Sequence, residues 1–413
     1  MGKKRIRKQN KILYIILIFI LLCLIGGVIY YFIFYKENVK SENNNKPLID
    51  KPIGDNLYSV NQENGFIIKN YSLVEHNILE NPAIDLYDND VYKYIRYSVS
   101  DHNPIGFNLT IDQNEFYKIG HWNTLNFNLL KNNPSAKEKE HAMNIAKIVN
   151  YFKFDLIGMT EINKNVITEA NAIEANNPAS NFVNLINDLV PESRKNQYHY
   201  NIIVSKNTNS LYAKSGQSKQ VAILYNTKKF KLSEANNTND ALIGSGTFYS
   251  NASVNDNGID RDYVRAPFGS KFQTINNVNN KEFVVSFSHF DSPGSSQDSV
   301  DYGLIDGIGK QEYFEAQQID KVIEEFRTLY NTNNVIFMGD TNIKTGKQNL
   351  AFNIQKLSSL NYKFAFDDND YYNTSLATVA TVNKYPNDQL KWYSNAYDKI
   401  IYRLDEFQTT IGK

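Results

Sequence analysis

The chain has one cysteine in 413 residues, Cys23. That excludes a disulfide framework and a multi-thiolate zinc site. It also lacks net charge, with 44 basic and 44 acidic side chains. The balance is uneven along the chain. Residues 1–11 carry Lys3, Lys4, Arg5, Arg7, Lys8 and Lys11 and no acid, which leaves residues 12–413 at a net −6. A body of that sign lacks the broad positive field by which packaging proteins neutralise phosphates. An enzyme turning over a polyanion through bound metal stays within the allowed classes. Long apolar runs are missing beyond the first, and a mean hydropathy of −0.47 excludes a polytopic membrane protein. No internal repeat is present. What the chain does have is a hydrophobic content of 42% and an aromatic content of 13%, enough to fill a core and exclude wholesale disorder.

The one long apolar run is Ile12 to Tyr35, without a charge. It suffices to span a bilayer core of ~30 Å as a helix. Tyr30, Tyr31, Phe32, Phe34 and Tyr35 cluster at its far end, where interfacial aromatics are favoured. The preceding basic cluster predicts a cytoplasmic tail (1–11), a transmembrane signal anchor (12–35) and an exported body. A cleaved signal peptide has a shorter apolar core and small residues at its cleavage site. A lipoprotein would need small residues before Cys23, where Leu21 and Leu22 stand. Residues 36–65, Asn-rich and broken by Pro47, Pro52 and Gly54, read as a flexible tether.

From Phe66 to residue 413 the pattern is that of one α/β domain. Short β-branched and aromatic runs predict strands at 105–111, 116–123, 155–162, 220–226, 282–290, 334–340 and 397–402. Apolar residues at 3/4 spacing predict helices over 136–152 (Ala142, Ile145, Ala146, Ile148, Val149, Phe152) and 311–329 (Phe314, Ile319, Val322, Ile323, Phe326, Leu329). Several strands end in polar residues that core filling does not explain: Asn123, Glu161, His289 with Asp291, and Asp340 with Asn342. Carboxylates and amides at the ends of buried strands suit a crevice where hard cations and phosphates meet. Singly, each has a structural reading, such as an Asx turn at Asp340 or a turn cap at Glu161.

In this order, Trp122-Asn123, Met159-Thr160-Glu161, Arg265-Ala266-Pro267-Phe268, Ser288-His289-Phe290-Asp291, Gly339-Asp340-Thr341-Asn342 and Tyr397-Asp398-Lys399-Ile400 resemble the motifs of the endonuclease/exonuclease/phosphatase superfamily typified by deoxyribonuclease I. With the anchor, the wording His289-Phe290-Asp291-Ser292-Pro293-Gly294 is most similar to the membrane nucleases of mycoplasmas. The resemblance covers residues 66–413 and implies a four-layer α/β/β/α sandwich. Two departures stand out. The family ends in a Ser-Asp-His motif, whereas here no histidine follows His289 and Ser100-Asp101-His102 stands near the start of the body. A circular permutation would carry the family's last strand into residues 66–112, joined through Asp112-Gln113-Asn114-Glu115 to the strand bearing Asn123. The second departure is Gln220, where the family often has a glutamate that orients its first catalytic histidine, so the partner of His289 is open.

The resemblance implies a metal-dependent nuclease acting on extracellular DNA or RNA, with no protein partner. Glu161 would be the main Mg²⁺ ligand with Asn123 beside it; Mn²⁺ and Ca²⁺ are alternatives for such an oxygen donor set. Asp340 and Asn342 would position water and phosphate or hold a second ion. His102 and His289 would serve as base and acid on opposite sides of the phosphate. Asp398 and Asp101 would orient or flank His102, and Arg265 would contact phosphate. His76, His121, His141 and His199 are expected to be surface or packing residues. The competing readings are a sphingomyelinase-type phospholipid phosphodiesterase and a non-catalytic surface binding protein on the same fold.

Overall fold

The computed structural model describes residues 59–62, 65–68, 96–97, 99–112, 115–130, 132–163, 177–207, 219–233, 240–250, 253–256, 259–275, 280–293, 303–386 and 388–407. All belong to the second of two compact units, 47–413. The apolar run 12–35 and the basic tail lie outside them. Among the described residues no helix is long and apolar enough to cross a membrane.

Strand alternation builds two sheets. The first contains β1 (Ser59–Gln62), β2 (Gly65–Ile68), β3 (Ile105–Asp112), β4 (Glu115–Phe127), β5 (Leu156–Asn163), β6 (Tyr200–Ser205), β7 (Lys219–Asn226) and β9 (Ala241–Ile243), in the order β1-β2-β3-β4-β5-β7-β6-β9. In the second, β10 (Thr247–Phe248), β13 (Phe268–Thr274), β14 (Glu282–His289), β17 (Val335–Asp340), β19 (Asp398–Arg403) and β18 (Lys363–Phe364) follow in that spatial order, and β8 (Phe230–Ser233) pairs with β13. Two small hairpins stand apart, β11 (Ser253–Asp256) with β12 (Ile259–Asp262) and β15 (Leu304–Ile305) with β16 (Ile308–Gly309). All seven expected strands form. Ser59–Gln62, expected in the tether, pairs instead with Gly65–Ile68 at the sheet edge.

The alternation of side chains across each strand then sets the layers. Ile105, Phe107 and Ile119 from the first sheet meet Phe268, Phe272, Phe283, Phe287, Ile336 and Met338 from the second, forming a dry layer between the sheets. On the outer face of the first sheet, Trp122, Ile157 and Met159 pack beneath α1 (Ala136–Phe152) and α2 (Pro178–Asp188) through Ile145, Val149, Phe182 and Ile186. On the outer face of the second, Val284, Val335 and Phe337 pack beneath Ile319, Val322, Ile323 and Phe326. The result is the expected four-layer α/β/β/α arrangement. Ser135 starts α1 with a capping box closed by Glu138.

The stretch 311–329 is not one helix. It divides into α3 (Lys310–Gln317) and α4 (Ile319–Leu329) at Gln318. The reason is the company each half keeps. α4 buries an apolar stripe, while α3 buries Gln311, Glu312 and Glu315, which serve loops near the site. Shorter helices complete the outer layers: α5 (Gln348–Ala351) and α6 (Ile354–Ser359) on the second sheet's side, and α7 (Val379–Lys384) beside the first sheet's outer cluster through Val382.

The connections decide where polar strand ends meet. α1 carries the chain from β4 to β5, and the two strands run parallel. α3 and α4 do the same between β14 and β17. β3 and β4 form an antiparallel pair with only residues 113 and 114 between them. Gly158 lets the sheets close: a Cβ there would lie 2.2 Å from the Phe287 ring.

Candidate active site

Strand register assembles the site at one end of the inter-sheet layer. On β14 the inward-facing series Phe283, Val285, Phe287 ends at His289, and on β17 Ile336 and Met338 lead to Asp340. On β19, Asp398 begins the series that continues with Ile400 and Tyr402. His289 pairs in register with Asp340, and Asp340 with Asp398, across three adjacent strands. From the facing sheet, β4 follows Tyr117 and Ile119 with His121 and Asn123 on the same side.

Glu161 breaks the alternation of β5. Its φ of 61° lies in the left-handed region, and the β5–β7 register shifts between Met159 and Ile162. A non-glycine residue held there is strained, a feature that concentrates at functional sites. Its Oε1 accepts from Asn123 Nδ2 at 3.1 Å and its Oε2 from the Asn126 backbone N–H at 2.8 Å. The same Asn123 amide donates to Asp340 Oδ2 at 2.9 Å, so one side chain links both carboxylates.

His102 reaches this cluster from the segment before β3. Its backbone N–H donates to Ser100 Oγ (3.0 Å), and the Ser100 hydroxyl donates to the Asn123 carbonyl (2.7 Å). The Trp122 indole N–H donates to the His102 carbonyl at 2.8 Å. Backbone bonds from Asn103 to Thr374 and from Leu376 to Asp101 bind the segment from the other side. His102 Nδ1 lies 2.7 Å from Asp398 Oδ2, which also accepts from the Thr374 hydroxyl at 2.7 Å. Its Nε2 lies 3.4 Å from Asp340 Oδ2, and His289 Nε2 lies 3.6 Å from that same oxygen.

Burial and charge push the two imidazoles apart. Burial opposes a charge on His102, but Asp340 and Asp398 outweigh it and hold its pKa well above the usual histidine value. For His289 burial lowers the pKa well below that value, reinforced by Arg265, His102 and His121. Burial also raises the Asp340 carboxyl, against the pull of His102. Asp398 goes the other way: burial disfavours its charge, yet His102 and His121 hold it below the carboxylate range. One carboxylate oxygen thus faces two histidines, one favouring the cation and one the neutral ring, an arrangement with the chemistry for opposite proton transfers.

The remaining expected residues divide. Asn342, left-handed at φ 53°, donates from Nδ2 to the Asp291 carbonyl (2.8 Å), while its N–H donates to Asp340 Oδ1 (3.1 Å); it braces the loop after His289. Asp101 flanks His102 and adds to the charge that raises its pKa, but it faces Arg96 at 3.8 Å with its side chain 31% exposed, and Asp398 is the carboxylate against Nδ1. Arg265 is buried, and its Nε donates to the His289 carbonyl at 2.6 Å while a terminal nitrogen serves the Phe290 carbonyl. That guanidinium holds the end of β14 and lines the recess shared by Glu161 and His289. Gln220 takes no part with His289: it donates to the Ser205 carbonyl and accepts from Asn177. His289 Nδ1 has no hydrogen-bond partner and lies 3.7 Å from Glu161 Oε1.

Three contributors escaped the sequence reading. His121 is fully buried, with Nδ1 3.2 Å from Asp398 Oδ1 and Nε2 3.2 Å from the Thr160 hydroxyl. The signal was present, since His121 stands two residues before Asn123 and so shares its strand face. Lys219, beside Gln220, places its ammonium on Asn126 Oδ1 at 2.7 Å and lines the same recess as Glu161 and His289. Glu315 on α3 accepts the N–H groups of Val264 (2.7 Å) and Asp291 (2.8 Å), and burial raises its pKa to about 8. His141 and His199 are packing and surface residues, bonded to the Val99 carbonyl and the Thr227 hydroxyl; His76 lies outside the described residues.

Among the described residues no group of three or more His, Cys, Asp or Glu side chains is arranged to close around a metal ion. Mg²⁺ does not need one, since it keeps several waters and takes one or two carboxylates. Glu161 and Asn123 fit that requirement: hard oxygens on adjacent strands, with the Glu161 side chain 17% exposed at the recess.

No family model matches the chain. A protein of Mycoplasma pneumoniae, described as uncharacterized, is 36% identical over 142 residues, which is 34% of this chain and 26% of that protein. This chain therefore spans about a quarter of its relative's length. Solved structures with similarity include the human Nocturnin catalytic domain with bound sulfate (12% identity, 72% of this chain and 85% of that one, TM-score 0.38). An endonuclease/exonuclease/phosphatase family protein from Bacteroides thetaiotaomicron gives 16% identity, 72% and 84% coverage and a TM-score of 0.38. Zebrafish (D. rerio) TDP2 with a single-stranded DNA product gives 11%, 69% and 82%, and 0.34.

Proposed function

We propose that this chain is a metal-dependent phosphodiesterase that cuts extracellular DNA or RNA, anchored by residues 12–35 with its body outside the cell and serving nucleotide acquisition. The observation that carries this reading is the convergence of His102 Nε2 and His289 Nε2 on one carboxylate oxygen of Asp340, beside Glu161 and Asn123. A phosphate entering there touches both imidazoles. Neutral His289 accepts the proton of the attacking water, and cationic His102, backed by Asp398, donates to the departing oxygen. Asp340 and Asn342 keep the two histidines and the loop after β14 in place while water is positioned. Glu161 and Asn123 would hold Mg²⁺, which would neutralise charge at the phosphoryl oxygens. Lys219 adds a cation at the recess.

The same reading includes membership of the endonuclease/exonuclease/phosphatase superfamily with its terminal strand moved ahead of its first. The support is the β3–β4 hairpin, which makes neighbours of the two strands that such a move must join, and the arrival of His102 opposite His289.

The test is incubation of the full chain with plasmid DNA, RNA and sphingomyelin, with Mg²⁺ or EDTA, beside the His102→Ala variant. The expected outcome is polynucleotide cleavage with Mg²⁺, none with EDTA, and a loss of ~10²–10⁴-fold in the variant. Cleavage of sphingomyelin alone, or of nothing, overturns the reading.

A further inference from the structure

Beside the paired histidines lies a second hollow that the proposed chemistry leaves unused. It is a cavity of ≈ 530 Å³ lined by Arg96 and Asp101 on one side, by residues between Asp370 and Ser394 on the other, and by Tyr397. The Tyr397 ring stacks against His102 with centroids 6.2 Å apart. Asp101, next to His102 in the chain, lines the cavity as well. A group esterified to a phosphate at His102 therefore has this cavity as its neighbour.

We propose that this cavity is the subsite for the nucleoside flanking the scissile phosphate, an inference that rests on the phosphodiesterase reading above. Size, charge and surface agree. The volume falls in the ~300–1,000 Å³ range of sites for small organic ligands. Its charged lining is Arg96 and Lys391 against Asp101, Asp370 and Asp388. Arg96 is already committed, facing Asp101 at 3.8 Å and donating to the Leu376 carbonyl. An excess of carboxylate repels a second phosphate. It favours a neutral group rich in donors, such as the hydroxyls of a sugar and the amino or imino groups of a base. Tyr393 and Tyr397 supply aromatic surface, and Leu390, 52% exposed, supplies an apolar contact at the rim. Bases stack on aromatic faces with little regard to sequence, which suits an enzyme for mixed polynucleotides.

The experiment has a binding arm and a turnover arm, both on the full chain. In EDTA, thymidine, glucose and inorganic phosphate are titrated separately and binding is read by saturation-transfer NMR. Thymidine should bind and glucose should not. Leu390→Asp and Tyr393→Ala should weaken thymidine at least tenfold with unchanged circular dichroism. With Mg²⁺ and the dinucleotide thymidylyl-thymidine, the same variants should raise KM at least tenfold and keep kcat within threefold. Leu390 is solvent-exposed, so its variant decides the matter if Tyr393→Ala fails to fold. Thymidine binding that survives the variants overturns the proposal. So does glucose binding as tight as thymidine, or a fall in kcat as large as the rise in KM. A chain that binds thymidine in this way but cleaves no phosphodiester sinks the enzymatic reading and leaves the subsite standing. A chain that cleaves DNA but does not bind thymidine does the reverse.

Discussion

Replacing Asp398 with Asn preserves shape and removes one charge from the centre of the proposed machinery. The carboxylate touches His102 Nδ1 at 2.7 Å, and both side chains are buried. Two unit charges ~4 Å apart near an effective dielectric constant of ~20 interact by about 4 kcal/mol. That attraction adds to the pull of Asp340 in holding the His102 pKa up, so the pKa should fall in Asp398→Asn. A smaller share of His102 would then carry the proton, and its service as proton donor, worth ~10²–10⁴-fold, should weaken. The amide still accepts from Thr374, so the fold should persist.

The sign of the stability effect is fixed by the two shifts. The raised His102 pKa stabilises the fold fully below the unfolded value of ~6.5 and loses that contribution as pH rises through the folded pKa. The depressed Asp398 pKa stabilises above its unfolded value of ~3.9 and loses that contribution as pH falls through the folded pKa. Wild type should therefore exceed the variant most between about pH 4 and 6.5, with the gap narrowing above the folded pKa of His102. The assay is NMR titration of labelled histidine in metal-free protein, paired with urea unfolding at several pH values. An equal His102 midpoint in the two proteins, or a wild-type midpoint below 6.5, would refute the reasoning.

Other outcomes follow from single contacts. Glu161→Gln keeps size and removes the ligand charge, so nuclease kcat should fall at least ~100-fold, about 2.7 kcal/mol, with an unchanged melting curve; near-normal turnover would remove Glu161 from the site. His121→Phe leaves Asp398 Oδ1 and the Thr160 hydroxyl without their imidazole, and the loss in urea stability should be ~1–3 kcal/mol; an unchanged midpoint would show that His121 only fills space. Gly158→Ala sets a methyl 2.2 Å from the Phe287 ring, and overpacking of ~1–3 kcal/mol should lower the melting temperature; a melting temperature at or above wild type would mean that the sheets yield freely there.

The strands were legible because each carries its own evidence: alternation or a β-branched run, followed by a polar end. The α1 helix was legible for the same local reason. The boundary at Gln318 was not, because it answers to Glu315, whose partners Val264 and Asp291 lie in loops distant in the chain. Arg265 was legible only in part. Its residue type suits phosphate, but nothing in the sequence shows that two of its donors serve the carbonyls of His289 and Phe290. The pairing of β1 with β2 hid in an Asn-rich polar stretch with no apolar periodicity. Thr374, which fixes Asp398, sits in a segment without regular structure and left no signal at all.

The placement of His102 shows why strand ends, and not chain order, decide this site. His289, Asp340 and Asp398 are set side by side by the register of three strands in one sheet. Asn123 and His121 come from the facing sheet through the alternation of β4. His102 belongs to neither register. It is held by Trp122 and Ser100 on one side and by backbone bonds to 374–376 on the other, so both sheets must be in place before its ring can meet Asp398. Connecting β3 to β4 by two residues costs little loop entropy and leaves every one of those contacts intact. The proposed permutation, a cut elsewhere in the chain and a join at this hairpin, would therefore preserve the geometry on which the proposed chemistry depends. On that proposal a histidine early in the body would serve with one from the middle of the chain.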